Sequence, residues 1–219
     1  MKLSELENNL NFKFPKKWHE IYNTGAMEWL ELDRDSYTKD EFKAVMKKYI
    51  NDPKQFLMFD CDIEPIAFEE ISSRTEDLKE WIRWKCEDEN VRLKDGVKLF
   101  PFAQTGGGDL YCFLYEDDTE NAKVVCYYHD DYDTPEIYAE SFDEFLYVAL
   151  LEAASYAAEE GEDFIGSESF KNHLNYLTDE YKALIEGKAI EELFLIREAG
   201  LLCSNLTNPT EALFCAEVF

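Results

Sequence analysis

Residues Leu99 to Phe145 decide the fold, and they read LFPFAQTGGGDLYCFLYEDDTENAKVVCYYHDDYDTPEIYAESFDEF. Within them, Leu110–Tyr115 and Lys123–Tyr128 are runs of apolar, β-branched and aromatic residues, which is the composition of strands. The residues between the runs, Glu116–Ala122, have the length of a hairpin loop. The stretch therefore predicts an antiparallel sheet with charged loops at its edges.

If these two strands pair antiparallel, Cys112 faces Cys126 and Phe113 faces Val125. A disulfide between the facing cysteines is then an alternative to free thiols. The six cysteines of the chain include no C-x-x-C pair, so neither a zinc knuckle nor thioredoxin chemistry is indicated. In a reducing compartment we expect them to be small buried hydrophobic residues.

The glycine run Gly106–Gly108 follows a strand-like segment, Leu99–Phe102. Glycine adopts positive φ without a steric penalty, so the run predicts a sharp reversal of the chain. A phosphate-binding loop is one interpretation of such a run, but it lacks a Gly-Lys-Ser/Thr sequence and the next residue is the acidic Asp109. The favoured interpretation is a tight turn in which Asp109 accepts hydrogen bonds from nearby backbone amides.

The order of residues across this stretch resembles that of the SUKH superfamily, which contains the yeast cell-wall-synthesis regulator and many bacterial immunity proteins. The opening of the chain, with Leu6-Glu7, Phe14-Pro15, Trp18 and Gly25, is similar to the family's opening. The resemblance covers about residues 1–155 and is strong over about residues 99–150. The residues that carry the strong part are Pro101, Gly106, Gly107, Gly108, Asp109, Tyr111, Phe113, Val124, Val125, Tyr127, His129, Asp130, Ile137, Ala139, Ser141, Phe142, Phe145 and Leu146.

The resemblance implies a fold and a class of function. SUKH domains have no established catalytic activity, and in bacteria they often bind and neutralise a toxin, frequently a nuclease, made by the same strain. It also implies a structural role for the family-motif residues. Those are Gly106, Gly107, Gly108, Asp109, Ser141 and Phe142.

Outward from this stretch, the rest of the chain reads mostly as helices. A helix over Lys16–Thr24 begins after Pro15 and closes at Gly25. A helix after Thr38 has a core-facing stripe of Phe42, Val45, Met46 and Tyr49, and short strands are predicted at Gln55–Phe59 and, interrupted by Pro65, at Glu64–Phe68. The capping boxes that predict helix starts are Ser4 with Glu7, Thr38 with Glu41, Ser73 with Glu76 and Ser141 with Glu144.

The helix after Ser141 is apolar nearly all round, so it needs cover on two sides. The sheet supplies one side, and the segment after the acidic break at Glu159–Asp163 is expected to supply the other. We therefore predict an α+β fold: a SUKH-like domain over residues 1–160, with a largely antiparallel or mixed central sheet flanked by helices, and a helical C-terminal extension over residues 161–219 packed on it. The helices predicted there are Ser167–Leu177, Thr178–Glu186, Ala189–Ala199 and Pro209–Val218.

The charge of the chain is its most unusual compositional feature. Its 219 residues include 48 Asp and Glu against 22 Lys and Arg, a formal net charge of −26, where small soluble domains carry about 2 to 8 in magnitude. Such a field repels nucleic acid and anionic membranes and attracts basic proteins. The alternative is that the charge serves solubility alone. With no apolar signal segment and no apolar run of membrane-spanning length, a cytoplasmic protein is expected.

Catalytic and metal-binding patterns are weak. His129 beside Asp130 and Asp131 could serve as a metal ligand or a general base, but it has no second ligand at short spacing. The acidic loops lack the glycine and terminal glutamate of a helix-loop-helix calcium site. We therefore predict no cofactor and no metal, and more readily a binding protein than an enzyme. A hydrolase that uses Asp109 and His129 is the least favoured alternative.

Aromatic and acidic residues alternate in the predicted loops, which is the composition of a surface that binds a basic protein. The alternative is that the tyrosines cover one face of the sheet. The leading hypothesis is an intracellular immunity protein that inhibits a basic toxin by stoichiometric binding, and a regulatory scaffold is a second possibility. The predicted partner-binding residues are Asp117, Asp118, Glu120, Tyr128, Asp130, Asp131, Tyr132 and Asp133.

Overall fold

A five-stranded antiparallel sheet, with strand order β1-β3-β4-β5-β6, forms the centre of the molecule. The structure is a computed structural model, and it describes residues 1–56, 63–116, 122–129, 135–186, 188, 192 and 213–216. Its strands are β1 (Glu64–Pro65), β2 (Val91–Leu93), β3 (Lys98–Gln104), β4 (Leu110–Tyr115), β5 (Lys123–Tyr127), β6 (Glu136–Ala139) and β7 (Phe214–Ala216). Its helices are α1 (Leu3–Leu10), α2 (Lys16–Tyr22), α3 (Lys39–Ile50), α4 (Ile71–Glu89), α5 (Phe142–Glu159), α6 (Glu168–Leu174) and α7 (Asp179–Ile185). The predicted α+β class is confirmed.

Helices cover both faces of this sheet. On one face, Trp18 of α2 and Phe142 of α5 lie against Phe113 of β4, with ring centroids 5.8 Å and 5.2 Å from the Phe113 ring. On the other face, Trp81 of α4 stacks on Tyr127 of β5 at 6.2 Å. Every residue of β4 is buried, so the strand is apolar along its whole length.

The predicted register of the β4–β5 hairpin is wrong by one residue. Cys112 lies opposite Val125, and Cys126 lies opposite Tyr111. Because side chains alternate along a strand, the two cysteines lie on opposite faces of the sheet, and both are free thiols. With both faces buried, the apolar pattern does not distinguish one register from its neighbour.

Two of the four predicted capping boxes mark real helix starts. Thr38 caps α3, and Ser141 accepts a hydrogen bond from the Glu144 amide at the start of α5. The other two predictions are wrong. The cap of α1 is Lys2. Helix α4 begins at Ile71, so Ser73 lies inside its first turn, where its hydroxyl donates to the Glu70 carbonyl.

The apolar stripe of α3 does not face the core, contrary to prediction. No residue of α3 is buried, and Phe42, Val45, Met46 and Tyr49 are only half-buried. Of the other N-terminal predictions, the strand at 64–68 is reduced to the two residues of β1. Residues 55 and 56 form a turn, and the rest of the predicted strand over 55–59 lies outside the described residues.

The segment after residue 160 packs on the apolar helix α5. Tyr181 of α7 stacks on Tyr147 of α5 at 4.9 Å, and Phe170 and Leu174 of α6 belong to the same apolar core as the sheet. The helix predicted over Pro209–Val218 is wrong at residues 214–216, which form β7 and pair antiparallel with β2. The helix predicted over 189–199 lies almost wholly outside the described residues. No helix among the described residues is long and apolar enough to cross a membrane.

Candidate binding surface

The two acidic segments singled out by the sequence are attached at opposite ends of β5. One segment joins Tyr115 at the end of β4 to Lys123 at the start of β5, and the other joins Tyr127 to Glu136 at the start of β6. Five strand residues separate the two attachment points, which is about 17 Å. Asp117, Asp118, Glu120, Asp130, Asp131, Tyr132 and Asp133 themselves lie outside the described residues.

The glycine run forms a tight turn between β3 and β4, as the sequence predicts. The Gly108 amide donates to the Thr105 carbonyl at 3.0 Å, and the Thr105 amide donates to the Asp109 carbonyl at 2.9 Å. Only one of the three glycines needs to be glycine for its backbone conformation, because Gly108 alone among them has a positive φ, of 103°. A Cβ on Gly107 would make only ordinary contacts, 3.5 Å from the Thr105 hydroxyl oxygen.

Asp109 ties this turn to the end of β5. Its Oδ1 accepts hydrogen bonds from the His129 backbone amide at 3.1 Å and from the His129 ring Nδ1 at 2.8 Å. Its Oδ2 accepts from the Thr105 hydroxyl at 3.1 Å. The backbone amide that donates to Asp109 belongs to His129, 20 residues along the chain, rather than to a residue of the turn as predicted, and the imidazole of the same residue adds a second donor.

The electrostatics of Asp109 follow from these bonds. Burial alone would raise the pKa of its carboxyl group, but the hydrogen bonds from His129 and Thr105 outweigh burial and lower the pKa. Since Nδ1 donates to the carboxylate, the neutral imidazole carries its proton on Nδ1. Such an Asp–His pair can either orient an imidazole for general-base chemistry or fasten a turn.

Tyr128, at the same end of β5, already has a partner within the chain. Its hydroxyl donates to Glu136 Oε2 at 2.7 Å, and the side chain is half-buried. Burial, followed by this bond to a carboxylate, raises the pKa of the phenol well above its usual value. The bond links the end of β5 to the start of β6, so Tyr128 braces the attachment point of the segment that contains Asp130–Asp133.

The opposite end of β5 is braced by a lysine between two carboxylates. Lys123 Nζ lies 3.3 Å from Glu116 Oε2 and 3.3 Å from Glu140 Oε2. Burial lowers the pKa of this lysine, but the two glutamates outweigh burial, and the net shift is upward. Both acidic segments are therefore attached to strand ends that are held by a side-chain hydrogen bond or by ion pairs.

The two remaining family-motif residues are structural. Ser141 caps α5, with its Oγ accepting from the Glu144 amide at 3.1 Å. Phe142 is 3% exposed and stacks against Phe145 in the core. Among the described residues, no group of three or more His, Cys, Asp or Glu side chains is arranged to hold a metal ion.

A buried carboxylate near the N-terminus lies outside the sites predicted from the sequence. Glu7, 3% exposed, accepts hydrogen bonds from the Phe14 amide at 3.0 Å and from Lys13 Nζ at 2.7 Å, and its Oε1 lies 2.8 Å from His19 Nε2. The spacing of Ser4 and Glu7 predicts a capping box, which is not the role of this side chain. The available signal was the position of Glu7 beside Leu6 and before Phe14-Pro15 in the family-like opening. This carboxylate joins α1, α2 and the segment between them.

Comparison with known proteins adds a family assignment. A sequence model of the family SUKH_6, described as SMI1-KNR4 cell-wall, matches residues 1–146, two thirds of the chain. Neither the curated proteins nor the solved structures contain a match to the chain.

Proposed function

This chain belongs to the SUKH superfamily, and we propose that it is an immunity protein that binds a toxin and neutralises it by stoichiometric protein-protein inhibition in the cytoplasm. The family includes toxin-immunity proteins, which supports this class of function. The partner is a basic protein domain, of the kind that acts on nucleic acid. The inhibitor covers the partner's active surface and needs no catalytic group, cofactor or metal of its own.

The net charge of −26 is the observation that carries the proposal. A nuclease needs a cationic surface to hold its phosphate backbone. An inhibitor with a strong negative field is attracted to that surface, and such attraction raises association rates toward about 10⁸ M⁻¹s⁻¹ at low salt. The same field repels nucleic acid and anionic lipid, so a basic protein is the favoured partner.

Both acidic segments can lie within one interface. Their attachment points are about 17 Å apart, and a standard interface of about 800 Å² on each partner is roughly 30 Å across. The sheet between them is buried on both faces and covered by helices. A scaffold that moves little on binding loses little entropy on association, which favours tight inhibition.

The experiment that tests this function is affinity capture of the tagged protein in the presence of the polypeptides encoded beside its gene. Capture is carried out at low and at high salt, and the retained partner is identified by mass. We expect one basic polypeptide, held at a ratio of one to one and captured more slowly as salt rises. Capture of an acidic polypeptide, or of none, would contradict the proposal.

A second, hydrolytic function is favoured by one observation, the 2.8 Å bond between Asp109 Oδ1 and His129 Nδ1. In that function Asp109 would orient the imidazole and raise its basicity, so that the imidazole could activate a nucleophile. The two functions differ in what the Asp109 carboxylate does, and the substitution discussed below separates them. A non-catalytic regulatory scaffold remains the alternative within the binding class.

A further inference from the structure

A cavity of about 470 Å³ lies between α1, α4, β2 and the start of β3. Its volume is within the range of about 300–1,000 Å³ that is typical of pockets for small molecules. Leu78 and Leu99, which are 1% and 8% exposed, form its floor. The apolar side chains that line it are Leu10, Leu78, Ile82, Leu93, Leu99 and Phe100.

The cavity lies at the edge of β3 that β4 does not occupy. It is lined by three consecutive residues of this strand, Lys98, Leu99 and Phe100. Because consecutive side chains of a strand point to opposite faces of the sheet, a cavity that reaches all three lies at a strand edge. On one edge, β4 pairs with β3 from its first residue to its last. On the other edge, β1 pairs with β3 at Ala103 and Gln104, so the cavity lies beside this edge, before the pairing with β1 begins.

Helices on the two faces of the sheet form the walls of the cavity. Phe100 lies opposite Phe113 and shares its face of the sheet, and Phe12, just after α1, stacks on Phe100 with ring centroids 3.5 Å apart. On the other face, which α4 covers, the lining residues run from Ser72 to Ile82, or about 15 Å of helix. The cavity is therefore an elongated groove whose walls are helices and whose floor is a strand edge.

The rim of the cavity carries more positive than negative charge. Lys79 and Lys98 line it together with the polar side chains of Asn9 and Ser72, and all four residues are exposed. Among the described lining residues Glu76 is the one carboxylate, and it pairs with Lys79 at 2.7 Å. A lysine ammonium has three N–H donors. Lys79 can therefore hold Glu76 and a carboxylate of a ligand at the same time.

We infer that this cavity binds a small molecule that has an apolar body and one carboxylate group. The apolar body packs on the floor formed by Leu78 and Leu99, where its burial supplies most of the affinity. The carboxylate accepts hydrogen bonds from Lys79 and Lys98 at the rim. This goes beyond the proposed function, which assigns no small-molecule ligand to the protein.

The charge of the whole molecule favours a ligand with a single negative charge. A net charge of −26 repels anions, and the repulsion grows with the charge of the ligand. Salt at about 0.1 M screens charges that lie beyond about 10 Å, whereas the two lysines line the cavity itself. A ligand with an ammonium group would find only Glu76, which Lys79 already neutralises.

Titration of the full-length protein with octanoate, followed by NMR of the backbone amides, tests the inference. We expect saturable binding that shifts the amides of α4 and of the start of β3, with octylammonium bound about tenfold more weakly. Hexanoate should also bind about tenfold more weakly than octanoate, because two fewer methylene groups are buried. Equal affinity for octanoate and octylammonium, shifts confined to another part of the molecule, or no saturable binding would overturn the inference.

Two variants and one control assign the binding to the cavity. Lys79→Gln/Lys98→Gln should weaken octanoate binding about tenfold and leave the binding of octan-1-ol nearly unchanged, because only the charged group loses its partners. Leu93→Trp, which adds bulk to the lining, should weaken the binding of both probes. The control Lys16→Gln/Lys171→Gln has the same net charge as the first variant, changes no lining residue and should bind octanoate as the natural chain does. Undiminished octanoate binding by the first variant, or an equal loss in the control, would overturn the inference.

Discussion

At the scale of single residues, the bonds of Asp109 explain why a glycine run and an acid stand together. Gly108 supplies the positive φ that closes the turn, and Asp109 fastens the turn to His129, just beyond the end of β5. The sequence indicated the turn and an acceptor role for the Asp109 carboxylate. It did not indicate the imidazole bond, because His129 lies 20 residues away and which residues of β4 and β5 meet depends on a register that the apolar pattern leaves open.

The substitution Asp109→Asn tests what this carboxylate does. We expect it to lower the free energy of unfolding by about 2 kcal/mol at pH 7, because a charged acceptor is lost from three hydrogen bonds. The pKa of Asp109 is lowered in the folded protein. Its contribution is therefore present above about pH 4 and is lost as pH falls through the folded pKa. Urea unfolding should show a difference in the free energy of unfolding between variant and natural chain that is largest at pH 7 and becomes smaller as pH falls below about 4.

The hydrolytic alternative makes the opposite prediction for Asp109→Asn. There the variant folds with nearly unchanged stability but loses a measurable hydrolytic activity. A stability loss with unchanged partner binding assigns Asp109 to the turn, whereas unchanged stability with lost activity would assign it to catalysis.

His173 of α6 gives the C-terminal extension a dependence on pH. It is 4% exposed, its Nδ1 donates to the Ser169 carbonyl at 2.7 Å, and it lies beside Phe56. Burial, only partly offset by the bond to Ser169, lowers its pKa from 6.5 to about 4. The unfolded chain therefore binds this proton more readily. The free energy of unfolding should fall by up to about 3 kcal/mol as pH drops from about 6.5 to 4.

Comparison with His173→Phe isolates this effect. The free energies of unfolding of the variant and of the natural chain should be compared by urea unfolding at pH 7, 5.5 and 4.5. As pH falls, the natural chain should lose stability relative to the variant. Other titrating groups act on both proteins and cancel in the comparison. If the difference in free energy of unfolding between the two proteins is the same at all three pH values, His173 is not buried as a neutral side chain.

At the scale of elements, the sequence predicted correctly the helices and strands that are marked by a strong local pattern, such as a helix cap or an apolar run. Thr38 and Ser141 gave correct helix starts, and the two apolar runs that follow the glycine turn gave β4 and β5. The wrong predictions concern segments whose secondary structure or burial depends on contacts with residues distant in sequence. Phe214–Ala216 has a helix-compatible pattern but pairs with β2, and α3 has a core-like stripe that the core does not cover. A local sequence pattern does not show which distant segment a residue pairs with or whether the core covers it.

The covering of α5 predicts the effect of removing the extension. Eleven residues of α5 are buried, and α7 covers part of them through Tyr147 and Tyr181. A chain truncated after Gly161 exposes this apolar surface and loses β7, so we expect aggregation or loss of a cooperative unfolding transition. The milder variant Tyr181→Ala should fold with a loss of about 1–2 kcal/mol.

Thermal unfolding with light scattering checks both variants. A truncated chain that stays monomeric and unfolds in one sharp transition would contradict the covering role of the extension. In that case residues 1–161 would form a unit that is stable on its own.

At the scale of the whole molecule, the acidic surplus predicts how partner binding responds to charge. Asp117→Lys/Asp118→Lys and Asp130→Lys/Asp131→Lys reverse charges at opposite ends of β5. Each pair should slow association with the captured partner about tenfold and reduce its dependence on salt, and the two effects should add because the sites are well separated. Stopped-flow association at several salt concentrations measures both.

The matched control reverses two acids elsewhere. Glu159→Lys/Glu160→Lys changes the net charge equally at the exposed end of α5. It should slow association only slightly, as a general field effect. If this control slows association as much as the reversals beside β5, the net charge of the molecule governs binding and the two segments do not form the interface.

The most direct measurement of the central claim is a titration of the captured partner's activity with the purified protein. Stoichiometric inhibition predicts a linear loss of activity that ends at one molecule of this protein per molecule of partner, with the activity recovered when the complex is separated by denaturation and refolding of the partner. Complete inactivation by a small fraction of one equivalent would show that the protein acts as an enzyme on its partner. Full activity at a large excess would show that it is not an inhibitor.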